Sequence, residues 1–327
     1  MTAPHEAAPQ IRVGTRASGL ALAQTGQIVD RLRERGCAVV VETITTRGDT
    51  RGDQPVAALG SDGVFVRELE RALLEGRIDL AVHSLKDLPT AAVPGLSIAC
   101  VPARATPFDA LVGRPGDTLE TLPAGAIVGT SSIRRAVQIE AVRPDLLVRP
   151  IRGNVDTRLR RLDAGDCACL ILAAAGLERL GLGERITTLL EPPLFWPAVG
   201  QGALALQIRS ADAATARAIA PLDDPATHRA VRAERSCLAE LSGGCLAPVG
   251  GWARVDAEGA LWLGARVLER AGQSVRHVGA EARQALVPKG SDLLQTADEL
   301  GQQVAASLLA AGAAEMLARM RGNTLPP

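Results

Sequence analysis

The hydrophobic pattern opens with a short apolar run, Ile11-Arg12-Val13-Gly14, that predicts a buried strand. The polar turn Thr15-Arg16-Ala17-Ser18 and helical spacing from Leu20 to Arg33 follow it. The same succession returns after the apolar stretch 126–129, where Thr130-Ser131-Ser132 leads into Ile133-Arg134-Arg135 at the start of another helix. A second pair of segments strengthens the first. Helical spacing over 65–77 precedes strand-like 79–84, and helical spacing over 155–166 precedes the apolar run 167–176. Two βα lobes of similar plan are expected. Both strand-to-helix turns would then face one cleft, because ligands of open α/β sheets bind at the carboxyl ends of the strands.

The apolar, Gly-punctuated segment 194–208 is expected to return to the first lobe as a late strand and to act as a hinge. From Pro225 the pattern changes. A helix over 226–241, a Gly-Gly break, alternating runs near 250–253, 261–268 and 273–278, and one long Ala-rich helix near 292–320 predict a smaller α+β domain. The expected boundaries are 1–104 with 203–222 for the first lobe, 105–202 for the second, and 223–327 for the third domain.

Composition narrows the function classes. The 327 residues are 47% hydrophobic and 22% charged, and no apolar run reaches the ~18–20 residues that span a bilayer, so no membrane role is expected. With three Phe, three Trp and no Tyr, stacking platforms for single-stranded nucleic acid are hard to build. The 36 basic and 36 acidic residues cancel, which points to neither nucleic acid nor a membrane surface. Lys86 and Lys289 are the only lysines, so positive charge sits almost wholly on guanidinium forks, which suit bidentate pairing with carboxylate or phosphate. The N-terminal segment MTAPHEAAPQ lacks the basic and apolar regions of a signal peptide, so a cytoplasmic protein with reduced thiols is expected. Among the six cysteines no C-x-x-C pair or neighbouring His cluster suggests a metal, and Cys167 and Cys169, two apart, are expected on one strand face.

Candidate chemistry clusters at the strand ends. The two helix N-termini already favour anions, and Arg16, Arg134 and Arg135 would strengthen that preference. Arg152 and Arg158 flank the turn in Arg152-Gly153-Asn154-Val155-Asp156-Thr157-Arg158, whereas Arg160 and Arg161 fit a solvated helix face. The stretch His83-Ser84-Leu85-Lys86-Asp87-Leu88-Pro89 closes a buried strand, a common place for catalytic groups. A carboxylate there, at Asp87, could stabilise a cationic intermediate while arginines bind substrate anions. Cys245, in Ser242-Gly243-Gly244-Cys245-Leu246-Ala247-Pro248, sits in loop sequence without the Cys–His–Asn order of a cysteine protease. Phosphate-loop, dinucleotide, zinc-protease and nucleophile-elbow motifs are absent. These residues describe a two-lobed anion-binding protein with a catalytic aspartate. Two lobes around an anion-lined cleft also describe a non-catalytic receptor for small carboxylates of the two-lobed solute-binding type, against which the missing signal-peptide pattern argues.

The motifs VGTRAS, TRGD, DLAVHSLKDLP, VGTSSIRR, IRGNVDTRL, ILAAAGLERLG, PAVGQGALA and LSGGCLAPVG, in order along the chain, resemble the porphobilinogen deaminase (hydroxymethylbilane synthase) family. The resemblance implies a transferase of tetrapyrrole biosynthesis that joins four porphobilinogen molecules head to tail, releasing ammonia at each step, and then hydrolyses off the linear product. It implies two periplasmic-binding-protein-like lobes around a cleft plus the α+β domain, and a monomer. It also implies a dipyrromethane cofactor held by Cys245 through a thioether, with Lys86, Ser132, Arg134 and Arg135 around it. Asp87 is implied as the group that stabilises positive charge on the pyrrole nitrogen as the aminomethyl group leaves. Arg16, Ser18, Arg152, Arg158, Gln201 and Phe65 are implied as the substrate-binding set, since each pyrrole carries an acetate and a propionate. Two departures stand out: Gly19 replaces the family's usual proline, and the loop 57–65 lacks the lysines many relatives carry and contains Asp62.

Overall fold

In the computed structural model, which describes residues 10–44, 66–241, 247–272, 274–285 and 293–322, two five-stranded sheets repeat one plan. The first contains β1 (Gln10–Thr15), β2 (Ala38–Thr43), β3 (Leu80–Ser84), β4 (Leu96–Cys100) and β10 (Leu204–Arg209), in the order β2-β1-β3-β10-β4. The second contains β5 (Asp109–Val112), β6 (Ile127–Gly129), β7 (Leu147–Arg149), β8 (Cys169–Ala173) and β9 (Thr188–Leu190), in the order β7-β6-β8-β5-β9. In each, one strand lies between two parallel neighbours, β1 between β2 and β3 and β6 between β7 and β8, and an antiparallel strand follows. For the first sheet that antiparallel strand is β10, which the chain supplies only after building the second. The chain therefore crosses between lobes twice, through 101–108 and 191–203.

The echo seen in the sequence is structural. Helix α1 (Gly19–Glu34) follows β1 with Ser18 as its cap, accepting from the Ala21 amide, and α3 (Ile133–Val142) follows β6 with Ser132 accepting from the Arg135 amide. Gly14 and Gly129 hold matching places in β1 and β6. A Cβ would lie 2.4 Å from the Ile78 side chain at the first and 2.7 Å from Leu170 at the second, so at both places a larger residue would push into packed side chains. Gly19 has open space around its Cβ direction and follows the capping Ser18 at the start of α1. The remaining lobe helices are α2 (Arg67–Leu74), α4 (Val155–Asp163), α5 (Ala174–Arg179) and α6 (Ala213–Ile219).

The alternating runs after residue 248 form an antiparallel meander of β11 (Val249–Val255), β12 (Ala260–Ala271) and β13 (Ser274–Ala285). Against it pack α7 (Pro225–Glu240) and α8 (Leu293–Ala310), around Ala233, Leu261, Leu263, Leu300 and Val304. The single helix expected near 292–320 is two. Gly312, at φ +97°, takes the left-handed conformation that ends a helix, and α9 (Ala313–Gly322) starts afresh. The expectation for Cys167 and Cys169 also needs correction. Strand β8 starts at Cys169, so its alternation does not reach Cys167; Cys169 packs with Ile171 in one apolar cluster and Cys167 with Leu170 and Leu172 in another.

Two groups of side chains stand out among the contacts that fasten the third unit to the lobe crossings. All three tryptophans gather there: Trp196, from the second crossing, stacks on Trp262 at 6.4 Å, Trp262 meets Trp252 edge-on at 5.7 Å, and Phe108 meets Trp252 at 5.1 Å. Arg254 lies over Trp252 and Trp262, and Arg266 over Trp196, so guanidinium groups stack on the ring faces of the cluster. The second fastening is ionic. Glu234 of α7, fully buried, accepts from Arg104 Nη1 at 2.6 Å and from the amides of Gly200 and Ala253 at 2.7 and 2.8 Å, while Arg104 Nε donates to the Gln201 carbonyl. One carboxylate thus joins both crossings to β11.

Two further carboxylates make acid stability predictable. Burial alone would raise the pKa of Asp79, but hydrogen bonds from Arg12 and Arg209 overcome it and hold the group at about 2. At Glu269, Arg319 outweighs burial and, with Arg276, holds the carboxyl at about 2. Both values lie below those of an unfolded chain, so this stabilisation is complete above about pH 4.5 and disappears as pH falls toward the folded values. The melting temperature is expected to fall steeply between about pH 4.5 and 2. A flat profile across that window, by calorimetry, would contradict these pairings.

Candidate active-site cleft

Strand β3 is apolar and buried up to His83. The His83 ring is tied through Nε2 to Gln207 Oε1 at 3.0 Å, and Gln207 Nε2 donates to Glu70 Oε1 at 3.3 Å. Burial, reinforced by the charge of Arg16, outweighs the Gln207 bond and lowers the His83 pKa to about 4. A neutral imidazole held this way is part of the frame, not a proton carrier at neutral pH. Ser84, the last strand residue, bonds with Gln24 of α1 at 2.8 Å. A single 3-10 turn, Leu85–Asp87, then buries Leu85 and leaves Lys86 and Asp87 half-buried at the strand end.

From there a polar network crosses to the second lobe. Lys86 Nζ donates to Gln201 Oε1 at 3.3 Å, and Arg135 Nη2 donates to the same oxygen at 3.4 Å. The amide nitrogen of Gln201 donates to the Pro107 carbonyl at 2.8 Å and to Asp109 Oδ1 at 3.0 Å. Gln201, expected among the substrate ligands, is fully buried, with both side-chain atoms used by the protein. It is a strut between lobes. Burial, aided by the Arg135 charge and opposed by Asp87 and Asp109, lowers the Lys86 pKa to about 8.

Asp109, at the start of β5, is the group that sequence reading missed. It is fully buried and accepts from Arg134 Nη1 at 2.7 Å and Arg135 Nε at 2.9 Å. Burial would raise its pKa, yet the two guanidinium groups pull it far below the usual carboxylate range. Arg134 Nη1 also donates to the Trp196 carbonyl, and Arg135 Nη1 to the Ile171 carbonyl at 3.0 Å. These two arginines, expected as cofactor ligands, therefore point a large share of their donors inward. A carboxylate pointing into an apolar strand, Phe108-Asp109-Ala110-Leu111-Val112, gives no local sign of such partners.

Around this network lie the other cations. Arg158 donates through Nε to the Gly153 carbonyl at 2.8 Å. Burial, together with the neighbouring charges of Arg135 and Arg152, lowers its pKa to about 10. Arg16 follows β1, close enough for its charge to act on His83, and Ser18 and Ser132 spend their side-chain oxygens on helix caps. Arg160 is exposed, and Arg161 pairs with Asp166 at 2.7 Å in the open, as a solvated face requires. Arg179 was not singled out from sequence. Its Nη2 donates to the Gly202 carbonyl at 2.7 Å and its buried Nε has no hydrogen-bond partner. Cys245 and Phe65, and with them the loop 57–65, lie outside the described residues.

The donor set is chemically specific. Mutually repelling cations from both lobes, an orphaned guanidinium N–H and one half-buried carboxylate suit a ligand with several carboxylates and a developing positive charge, which is what a dipyrromethane carrying acetate and propionate arms, extended by similar rings, would present.

The family described as "Porphobilinogen deaminase, dipyromethane cofactor binding domain" matches residues 11–217, and "Porphobilinogen deaminase, C-terminal domain" matches 228–310. A porphobilinogen deaminase of Roseiflexus castenholzii is 49% identical over 310 residues, 94% of this chain and 98% of that one. One of Thermus thermophilus is 46% identical over 311 residues, with the same coverage of each chain. Among solved structures, the methionine-binding protein MetQ aligns with a TM-score of 0.41 at 14% identity, covering 65% of this chain and 88% of that one.

Proposed function

Because this chain belongs to the porphobilinogen deaminase family, a transferase family with a dipyrromethane cofactor, we propose that the cleft between its two sheets joins porphobilinogen units with Asp87 as the catalytic carboxylate. The observation that carries the assignment is the convergence of Lys86, Arg135 and Arg158, from both lobes, beside the turn that bears Asp87. When bound, the dipyrromethane supplies the pyrrole end from which the chain is extended, and Cys245 is its proposed attachment point.

The chain's own residues divide the remaining work. Arg16, Arg152 and Arg158 bind the acetate and propionate arms of substrate, each charge-assisted hydrogen bond contributing roughly 1.5–3 kcal/mol. Arg179 joins that set through its unpartnered Nε. Lys86, Arg135 and the Ser132 turn bind the cofactor's carboxylates, while Arg134 and Asp109 fix the direction of Arg135. Asp87 stabilises the cation that porphobilinogen forms as ammonia departs, and holds the pyrrole N–H toward itself. Gln201 keeps the lobes in register. We read the enzyme as a cytoplasmic monomer, as the resemblance implies.

Incubation of the purified protein with porphobilinogen tests the reading directly. Ammonia is expected in proportion to substrate consumed, together with a linear tetrapyrrole. Saturable binding with no ammonia released would instead identify a carboxylate receptor.

A further inference from the structure

The turn that carries Asp87 is too short to hold itself. A single 3-10 turn closes one hydrogen bond, here from the Leu88 amide to the Leu85 carbonyl at 3.1 Å, and its upstream end is tied by the Leu85 amide to the Ala203 carbonyl at 3.0 Å. Downstream, Leu88 leaves helical geometry at φ −80°, ψ 125°, and Pro89 has no N–H to continue the pattern. The carbonyls of Leu88 and Pro89 are met from another domain: Arg235 of α7 donates to Leu88 through Nη1 at 3.0 Å and to Pro89 through Nη2 at 2.7 Å. Val231, one turn earlier on α7, packs with Leu85 and Leu88 in one apolar cluster. Neighbouring Glu234 and Ser236 in turn fix α7, to the lobe crossings and to the Asp298 carbonyl of α8.

We propose that Arg235 is a positioning residue for Asp87, clamping from the third domain the two successive carbonyls that end the catalytic turn. The proposal rests on the role of Asp87 given above. A planar fork suits the task because its two Nη groups reach two acceptors at a fixed spacing, which an ammonium cannot do. Both Nη groups of Arg235 are committed to these carbonyls, so its loss should act on the chemical step: a carboxylate displaced by about 1 Å can lose ~100-fold in rate with substrate binding largely kept.

The test uses holoenzyme variants assayed for ammonia release. Arg235→Leu is expected to lower kcat by about 10- to 100-fold with KM within about 3-fold of the parent, and Arg235→Lys, which can reach one carbonyl, to fall between. In an Asp87→Glu background, where the carboxylate is already displaced, Arg235→Leu should cost no more than about 2-fold further, because both changes act through one group. Parental kcat in Arg235→Leu, a loss carried by KM, or losses that multiply in the double variant would each overturn the proposal. Should Arg235→Leu not fold, Arg235→Lys carries the same kcat-against-KM comparison. Parental rate in Asp87→Asn is a separate failure, which removes Asp87 from its role and this proposal with it.

Discussion

Asp87→Asn is expected to slow ammonia release by about 100- to 1,000-fold while the dipyrromethane stays on the protein, because the amide keeps the shape of the carboxylate and loses its charge. The expectation follows from placement. Asp87 is a half-buried acid on a turn whose surroundings, Lys86, Arg135 and Arg158, are cationic and suited to carboxylates, so a cation forming on the substrate has one evident counter-charge. Binding of porphobilinogen should change far less, since its arms are met by arginines. Single-turnover release of ammonia, with intact mass to verify the cofactor, checks both halves. A variant that turns over at the parental rate would show that the charge is met elsewhere.

The largest stability effect is expected away from the chemistry, at Glu234. Its carboxylate is fully buried and pairs with an Arg104 side chain only 9% exposed, while also accepting two backbone amides. Glu234→Gln leaves the Arg104 charge in the interior without its counter-ion, which costs about 3–5 kcal/mol. The lesion sits where both crossings meet β11, so unfolding should begin with the third domain parting from the lobes, and the tryptophan cluster at that junction should report it as an early emission change. Breaking the Arg232–Asp298 pair between α7 and α8 is the comparison. Arg232 is 52% exposed there, and Asp298→Ala should cost under about 1 kcal/mol. Urea melts in which the two variants lie equally close to the parent would contradict this account of the junction.

The repeat of strand, hydroxyl-bearing turn and helix was legible because it is local: capping by Ser18 and Ser132 and the apolar runs of β1, β3, β6 and β8 are written within a few residues of each other. The return of the chain to the first sheet was legible for the same reason, although β10 occupies only the end of the apolar segment that announced it. What was not legible depends on distant partners. Asp109 lies 25 residues from Arg134, and nothing beside it in an apolar strand predicts that two guanidinium groups will converge on it. Glu234 and Arg235, adjacent in mid-helix, carry no local sign that the fold directs one at the crossings and the other at the catalytic turn. For Gln201 the motif marked the residue, but only the fold shows that both side-chain amide atoms are engaged by Lys86 and Asp109. The break at Gly312 was missed because an Ala-rich stretch hides a single left-handed glycine.

One measurement bears most directly on the idea of a covalently anchored polycarboxylate chain held among guanidinium groups: the intact mass of the active protein and of its Cys245→Ala variant. The parent should exceed its sequence mass by one dipyrromethane, and the variant should show the sequence mass alone and make no tetrapyrrole. A parent at bare sequence mass that still consumes porphobilinogen, or a Cys245→Ala protein as active as the parent, would contradict it.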